Sequence, residues 1–413
     1  MKVLIANTYD AQGGAARAAY RLHRCLQDIG IESQMLVQVK SCDDDTVQGP
    51  KSNYSKLIGR IRPRIDGLPL MRYPNKSKIL FSPAWFRNEE MIHKIQQSDA
   101  DVVHLHWISR GMFRIEDLVR INKPLVWSLH DNWGFTGGCH VMWDCENYKN
   151  ACNSCPVLGS SNLDDLSSRV FNRKVKAYAK LDLTIVGLSR WMADCAANSR
   201  LFNAKRIVNL PNPIDSECFK PLDKNAARDM LGLPPEKKLL FFGAVDATGD
   251  INKGFTKLSE ALGLLKSRNI ELVVFGSNKP KHPPDFGFRS HYLGKLNDDI
   301  FLRALYSAGD VVVVPSLQEN LSNVIMESIS CGTPVVGFDV GGNGDLIDHR
   351  LNGYLATPFN TEDLARGIDW VLSHPQPEHL ASNARQKVLS EFKNSVVANK
   401  YKKLYEEVLT RGF

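Results

Sequence analysis

No apolar run in this chain reaches the roughly 18 residues that a membrane-spanning helix requires. The start, Met1-Lys2-Val3-Leu4-Ile5-Ala6-Asn7, meets polar residues too early for a signal peptide. Together these absences lead to the expectation of a cytoplasmic protein. Zinc-finger spacing, an aromatic RNP pattern and long basic runs are also missing, which argues against nucleic acid as a partner. Cysteine lacks the even pairing of a small secreted framework: there are nine, four of them crowded between Cys139 and Cys155. Reduced thiols or a metal site fit that pattern better than disulfides. Low-complexity segments and short repeats are lacking too, and 43% apolar with 23% charged residues is ordinary for a globular chain. At 413 residues the chain exceeds what one hydrophobic core usually serves, so two domains are expected. The net charge of +7 favours an anionic partner, such as nucleotide phosphates or a membrane surface, without choosing between them.

What is present is an alternation of short apolar runs with helical patterns. Lys2–Asn7 reads as a buried strand that turns through Gly13-Gly14 into a helix over 15–29. Runs at 32–38, 101–105, 124–129, 183–188 and 206–210 continue the series, as expected of a parallel sheet covered on both faces. Asn209-Leu210-Pro211-Asn212-Pro213 interrupts it as a stiff hinge. A second series follows at 238–242, 270–275, 310–315 and 334–338. The fold class read from this is α/β, two Rossmann-like domains over residues 1–212 and 213–393. A terminal helix within 394–413 carries Val397, Tyr401, Leu404 and Val408 on one side and is expected to pack back on the first domain.

One constellation carries the chemistry. Pro315-Ser316-Leu317-Gln318-Glu319-Asn320-Leu321-Ser322-Asn323-Val324-Ile325-Met326-Glu327 directly follows an apolar strand, at the end of the sheet where open α/β folds bind ligands. Glu319 belongs to a loop and Glu327 to the following helix, so both carboxylates can face one crevice. Asn320, Leu321 and Ser322 are expected at the helix start, where unpaired N–H groups attract phosphate. The plainer alternative makes Glu319 a helix cap and Glu327 a solvated helix-face residue. However, glutamate, seven residues, glutamate, then Ser-Ile-Ser-Cys-Gly-Thr-Pro-Val-Val-Gly resembles the donor-site signature of glycosyltransferase family 4, and the resemblance extends across nearly the whole chain.

That resemblance implies a GT-B fold with the two domains facing a cleft, a retaining mechanism, and chemistry without a catalytic metal or other cofactor. The implied substrate is a nucleotide sugar, UDP- or GDP-linked. Glu327 would bind ribose, Glu319 the transferred sugar, and the backbone around Asn320 to Asn323 the sugar and phosphate. Lys253, after the strand ending at Gly243, would meet the leaving diphosphate. Many relatives have an arginine just after that glycine, where this chain has Ala244-Val245-Asp246, so the resemblance does not extend to a second phosphate-binding cation there. Gly13-Gly14 resembles the loop that closes on the diphosphate, and His130 the histidine near the reacting centre. An epimerase of the same architecture, or a sugar-nucleotide-binding scaffold without activity, remains open.

On the acceptor side the candidates are His104 and His106, paired on one face of a strand end, with Asp131 and Arg190 at neighbouring strand ends. Cys139, Cys145, Cys152 and Cys155 could close a structural zinc site, with free or redox thiols as the alternative. A similar cysteine-rich loop occurs in polysaccharide-assembly members of the family. Lys56, Arg60, Arg62, Arg64 and Arg72 mix with Leu57, Ile58, Ile61, Leu68, Leu70 and Met71. Such a mixture suits peripheral contact with a membrane surface, and hence a saccharide or lipid-linked saccharide acceptor in surface polysaccharide synthesis, or else a loop with snorkelling cations.

Overall fold

Val311-Val312-Val313-Val314 is wholly buried and ends at Pro315, as a strand covered on both faces should. The computed structural model describes residues 1–243, 250–267, 269–281, 283–296 and 298–411. They divide into two compact units, Met1–Pro213 with the chain from Ser395 onward, and Ile214–Asn394.

The first unit contains strands β1 (Lys2–Tyr9), β2 (Glu32–Val39), β3 (Val47–Gln48), β4 (Val102–Leu105), β5 (Leu125–Leu129), β6 (Leu183–Gly187) and β7 (Arg206–Asn209). They form one sheet in the order β3-β2-β1-β4-β5-β6-β7, every neighbouring pair parallel. The order reverses between β1 and β4, so the loops leaving these two strands part to opposite sides and open a crevice. A core of Leu4, Leu105, Trp127, Ile185 and Phe202 holds the sheet to its helices. The terminal helix Asn394–Thr410 completes this unit by burying Tyr401 and Tyr405. Tyr405 Oη lies 2.8 Å from His104 Nδ1, and Tyr401 Oη 3.3 Å from Ser128 Oγ.

The second unit contains β8 (Lys238–Gly243), β9 (Ile270–Phe275), β10 (Ser290–Tyr292), β11 (Val311–Val314), β12 (Val335–Phe338) and β13 (Gly353–Ala356). Their order is β10-β9-β8-β11-β12-β13, again parallel throughout, with the reversal between β8 and β11. Its separate core includes Leu240, Phe242, Leu258, Val313, Val336 and Ile368. Asp310 fixes the entry to β11: its Oδ2 accepts from Leu239 N and from Arg228 Nη2, both at 2.7 Å.

The α/β class and both parallel sheets agree with the reading from sequence. β3 and β10, of two and three residues, escaped it because so short a run carries no periodicity, and β13, Gly353-Tyr354-Leu355-Ala356, because it opens on a glycine and has no run of branched apolar residues like that of β11.

Candidate functional site

In the second unit residues 252–254, which follow β8, meet the loop after β11 beside the strand-order reversal. Lys253 Nζ donates to Glu319 Oε2 at 3.2 Å, and Ser316 Oγ donates to the same oxygen at 3.1 Å. The carboxylate raises the Lys253 pKa, outweighing burial, so the lysine carries full charge at neutral pH. Backbone fixes the pairing: Leu317 N donates to Asn252 O at 2.8 Å, and Asn252 Nδ2 to Gln318 O at 2.9 Å. Gly254, at φ +68°, lies so close to β11's exit that an added Cβ would sit 1.8 Å from Pro315 O. On the other side, Gly342 N donates to Glu319 O at 3.0 Å, and a Cβ on Gly341 would meet that oxygen at 1.8 Å. The Glu319 loop is thus held between two glycine turns.

The helix after it is Asn323–Ser330, later than expected: Asn320 and Leu321 remain in the loop and Ser322 is the N-cap, accepting from Ile325 N. Ser322 wins that place because its hydroxyl satisfies an otherwise unpaired helix N–H. Glu327 lies little more than one turn in, buried, with Tyr306 Oη donating to its Oε2 at 3.0 Å. Gly243 ends β8 against the Phe275 ring, where a Cβ would be 2.2 Å from ring carbon, so packing also accounts for that glycine. The 244–246 segment, where the expected arginine is lacking, lies outside the described residues.

In the first unit Gly13, at φ +89°, caps the helix Gly14–Asp28, and neither a capping side chain nor an acidic residue occupies its first turn. Such a helix start suits an anion. His106 follows β4 and His130 follows β5; His106 Nδ1 and His130 Nε2 share a hydrogen bond at 2.8 Å. Burial pushes His130 down to about 4 and His106 well below its ordinary value, so both rings are neutral at pH 7.

His104, Asp131 and Arg190, expected on the acceptor side, belong to β4, to the turn after β5 and to the helix after β6. His104 lies inside β4, fully buried between Ser128 and Tyr405, and joins the terminal helix to the sheet. Asp131 Oδ2 accepts from His140 Nδ1 and Trp107 Nε1, both at 2.6 Å, and Oδ1 accepts from Trp133 N at 2.9 Å. Its carboxylate is committed to holding that turn. Arg190 is exposed at the first position of the helix Arg190–Asn198, whose cap is Ser189.

Two family models match this chain, "Glycosyltransferase Family 4" over residues 12–217 and "Glycosyl transferases group 1" over residues 236–374. The chain belongs to glycosyltransferase family 4. A putative colanic acid biosynthesis glycosyl transferase of Escherichia coli is 26% identical over 356 residues, 81% of this chain and 82% of that one. Among solved structures, sucrose-phosphate synthase from Thermosynechococcus elongatus superimposes with a TM-score of 0.70 at 17% identity, over 100% of both chains. Anabaena HepE in complex with UDP and glucose gives a TM-score of 0.65 at 17% identity, over 98% of this chain and 100% of that one. At such identity these two likenesses show the fold, which is GT-B.

The cysteine loop of this glycosyltransferase departs from the metal expectation. Cys139, Cys145, Cys152 and Cys155 line one cavity of about 20 Å³, yet among the described residues no three His, Cys, Asp or Glu side chains form a group that could hold a metal ion. Burial pushes the Cys139 and Cys155 thiols up and Cys152 up to about 12, which favours the protonated form. Lys174 lies fully buried nearby, bonded to Trp133 O and Thr136 O and stacked 3.9 Å from the Trp133 ring. The basic stretch of the transferase is the helix Asn53–Asp66 and the turn Leu68–Arg72 rather than a loop. Lys56, Arg60, Arg64 and Arg72 are exposed, but Arg62 turns inward and donates to Gly111 O at 2.6 Å. Tyr306 has no local signal in the sequence, whereas Ser316 and Gly254 stand in the same short stretches as Glu319 and Lys253.

Proposed function

We propose that this glycosyltransferase moves a sugar, with retention of configuration and without a catalytic metal, from a UDP- or GDP-sugar to a hydroxyl of a saccharide acceptor, free or lipid-linked, in surface polysaccharide assembly. The observation that carries the reading is the Lys253–Glu319 pair, stitched by backbone beside the Ser322-capped helix start. In it, a diphosphate lies against the amides of that helix start and draws Lys253 off Glu319. The freed carboxylate accepts from sugar hydroxyls, and Glu327, set by Tyr306, takes the ribose. The acceptor hydroxyl attacks from the face that the diphosphate leaves, giving its proton to the departing phosphate oxygen, while Lys253 stabilises the charge that develops. His130, neutral and oriented by His106, offers a hydrogen bond near the reacting carbon without titrating near pH 7.

The Escherichia coli relative's colanic acid name and the UDP and glucose in the HepE structure support the donor and pathway class. Peripheral attachment to the cytoplasmic face of a membrane belongs to the same reading. Exposed Tyr54, Leu57, Leu68 and Met71 lie among Lys56, Arg60, Arg64 and Arg72 on the segment 53–72. The test is a panel of UDP- and GDP-sugars incubated with the full chain and lipid-linked or free saccharides. Formation of an α-linked product from an α-linked donor, undiminished in EDTA, is the expected result. Conversion of donor to an epimer without acceptor, or donor binding with no turnover under any condition, would sink it.

A further inference from the structure

The first unit holds a second concavity, of about 160 Å³, lined among others by Gln38, Tyr54, Arg62, Asn88, Glu90 and Met91. Gln38 is the last residue but one of β2, so the cavity opens at the carboxyl edge of the sheet, the edge that also presents Gly13 and His106. The helix Asn53–Asp66 makes the facing wall. Its Gly59 approaches so closely that a Cβ would sit 2.7 Å from Gln38 O. Arg62 ties that helix to the carbonyls of Gly111, Phe86 and Arg87, so the walls are set by backbone and do not depend on a ligand.

The polar groups of this cavity are not used up. Gln38 is 1% exposed; its Nε2 donates to Arg110 O at 3.3 Å, but its Oε1 has no hydrogen-bond partner. A buried acceptor without a donor is costly and calls for one. Asn88 is nearly buried too, and makes no capping bond to the helix Glu89–Gln97 that it precedes. Glu90 is at the rim, its Oε1 accepting from Lys94 at 2.6 Å. A ligand filling this space must therefore give a proton to an amide oxygen and also serve an asparagine amide, beside a carboxylate. Hydroxyl groups do both. A phosphate would face the Glu90 carboxylate and the Gln38 carbonyl, while Arg62 already spends Nε and Nη2 on backbone. The volume suits one six-membered ring, since a cavity of about 150 Å³ accepts a benzene. Tyr54, exposed at the rim, offers an aromatic face to ring C–H groups.

We infer that this cavity is a recognition subsite for one neutral sugar ring, and, resting on the transfer reading above, that the ring belongs to the acceptor. Saturation-transfer NMR on the full chain tests it, with methyl glycosides of common hexoses as probes and calorimetric UDP binding measured beside it. Gln38→Met removes the unpaired oxygen at nearly constant shape. Asn88→Leu, at a helix start where the side chain caps nothing, keeps the test readable if Gln38→Met does not fold. Saturation transfer to at least one glycoside in the wild type, at least fivefold weaker in the folded variants with UDP affinity unchanged, is expected. No transfer in the wild type, equal transfer in the folded variants, or displacement of the glycoside by equimolar inorganic phosphate would overturn the subsite. Glycoside binding that depends on Gln38 in a protein that binds no nucleotide would leave the subsite standing and remove its assignment to an acceptor.

Discussion

Replacing Glu319 by glutamine keeps the shape of the side chain and removes the charge that Lys253 now meets at 3.2 Å. Because the pair is partly solvated, with side-chain exposures of 34% and 17%, little fold stability depends on it. Its value lies in charge placed where charge develops in the reaction. Glu319→Gln and Lys253→Met should each lower kcat about 10²–10³-fold, the range for loss of one preorganised group, with melting temperature nearly unchanged. Steady-state turnover and thermal melts measured on the same preparations decide this; near-normal kcat in both variants ends the assignment. Glu327 is different, since it is buried and its bond from Tyr306 prepares it to bind rather than to react. Glu327→Gln should raise the donor KM roughly tenfold and change kcat less, and the reverse split would place it at the reacting sugar. In the sequence Glu319 stands out by its place directly after an apolar strand, and Lys253 through the resemblance to glycosyltransferase family 4. The link from His106 to His130 does not stand out there, because it exists only once β4 and β5 lie side by side in their register.

At the level of elements, the two glycine turns around the Glu319 loop make a sharper test than the charges do. Gly254 and Gly341 have φ of +68° and +55°, and a Cβ on either would fall 1.8 Å from a backbone oxygen. Backbone cannot swing aside as a flexible side chain can. Gly341→Ala should therefore displace Glu319, cutting transfer by at least tenfold while UDP still binds; unchanged turnover would show that the loop gives way freely. Gly263→Ala, in the helix Phe255–Gly263 with open space around it, is the matched control and should be neutral or slightly stabilising. The sequence reading found the strands that are continuous apolar runs, such as the four valines of 311–314, because such a run declares itself. It misplaced the start of the helix Asn323–Ser330 because Asn320 and Ser322 are both good capping residues, and only the bond to Ile325 N selects Ser322. For the basic segment it saw charge and apolar content but not that Arg62 points inward, a choice made by the carbonyls of Gly111, Phe86 and Arg87.

Over the whole molecule, buried ionisable groups set a pH dependence of stability whose sign can be worked out. Burial pushes His104 down to about 3 and His130 and His23 down to about 4. The unfolded chain, with histidines near 6.5, therefore binds more protons than the native state between about pH 4 and 6.5. Stability rises with pH across that window. Asp66, pushed up to about 6 by burial, works the other way between about 4 and 6, but it is one group against several. Lys174, pushed down to about 7 by burial, adds stability as pH climbs from 7 towards the ordinary lysine value. The buried thiols oppose this above about pH 8.5, because Cys139 and Cys152 keep their protons in the native state while the unfolded chain loses them. The melting temperature should climb by several degrees from pH 4.5 to 7 and peak between about pH 7 and 9. His104→Gln, which removes the most depressed of these three histidines, should flatten the acid limb whatever it does to absolute stability. Calorimetry across pH 4.5–9.5 on both proteins checks the sign: an acid limb that is flat in the wild type, or equally steep in the variant, would mean that the buried histidine chain is not what the acid titrates.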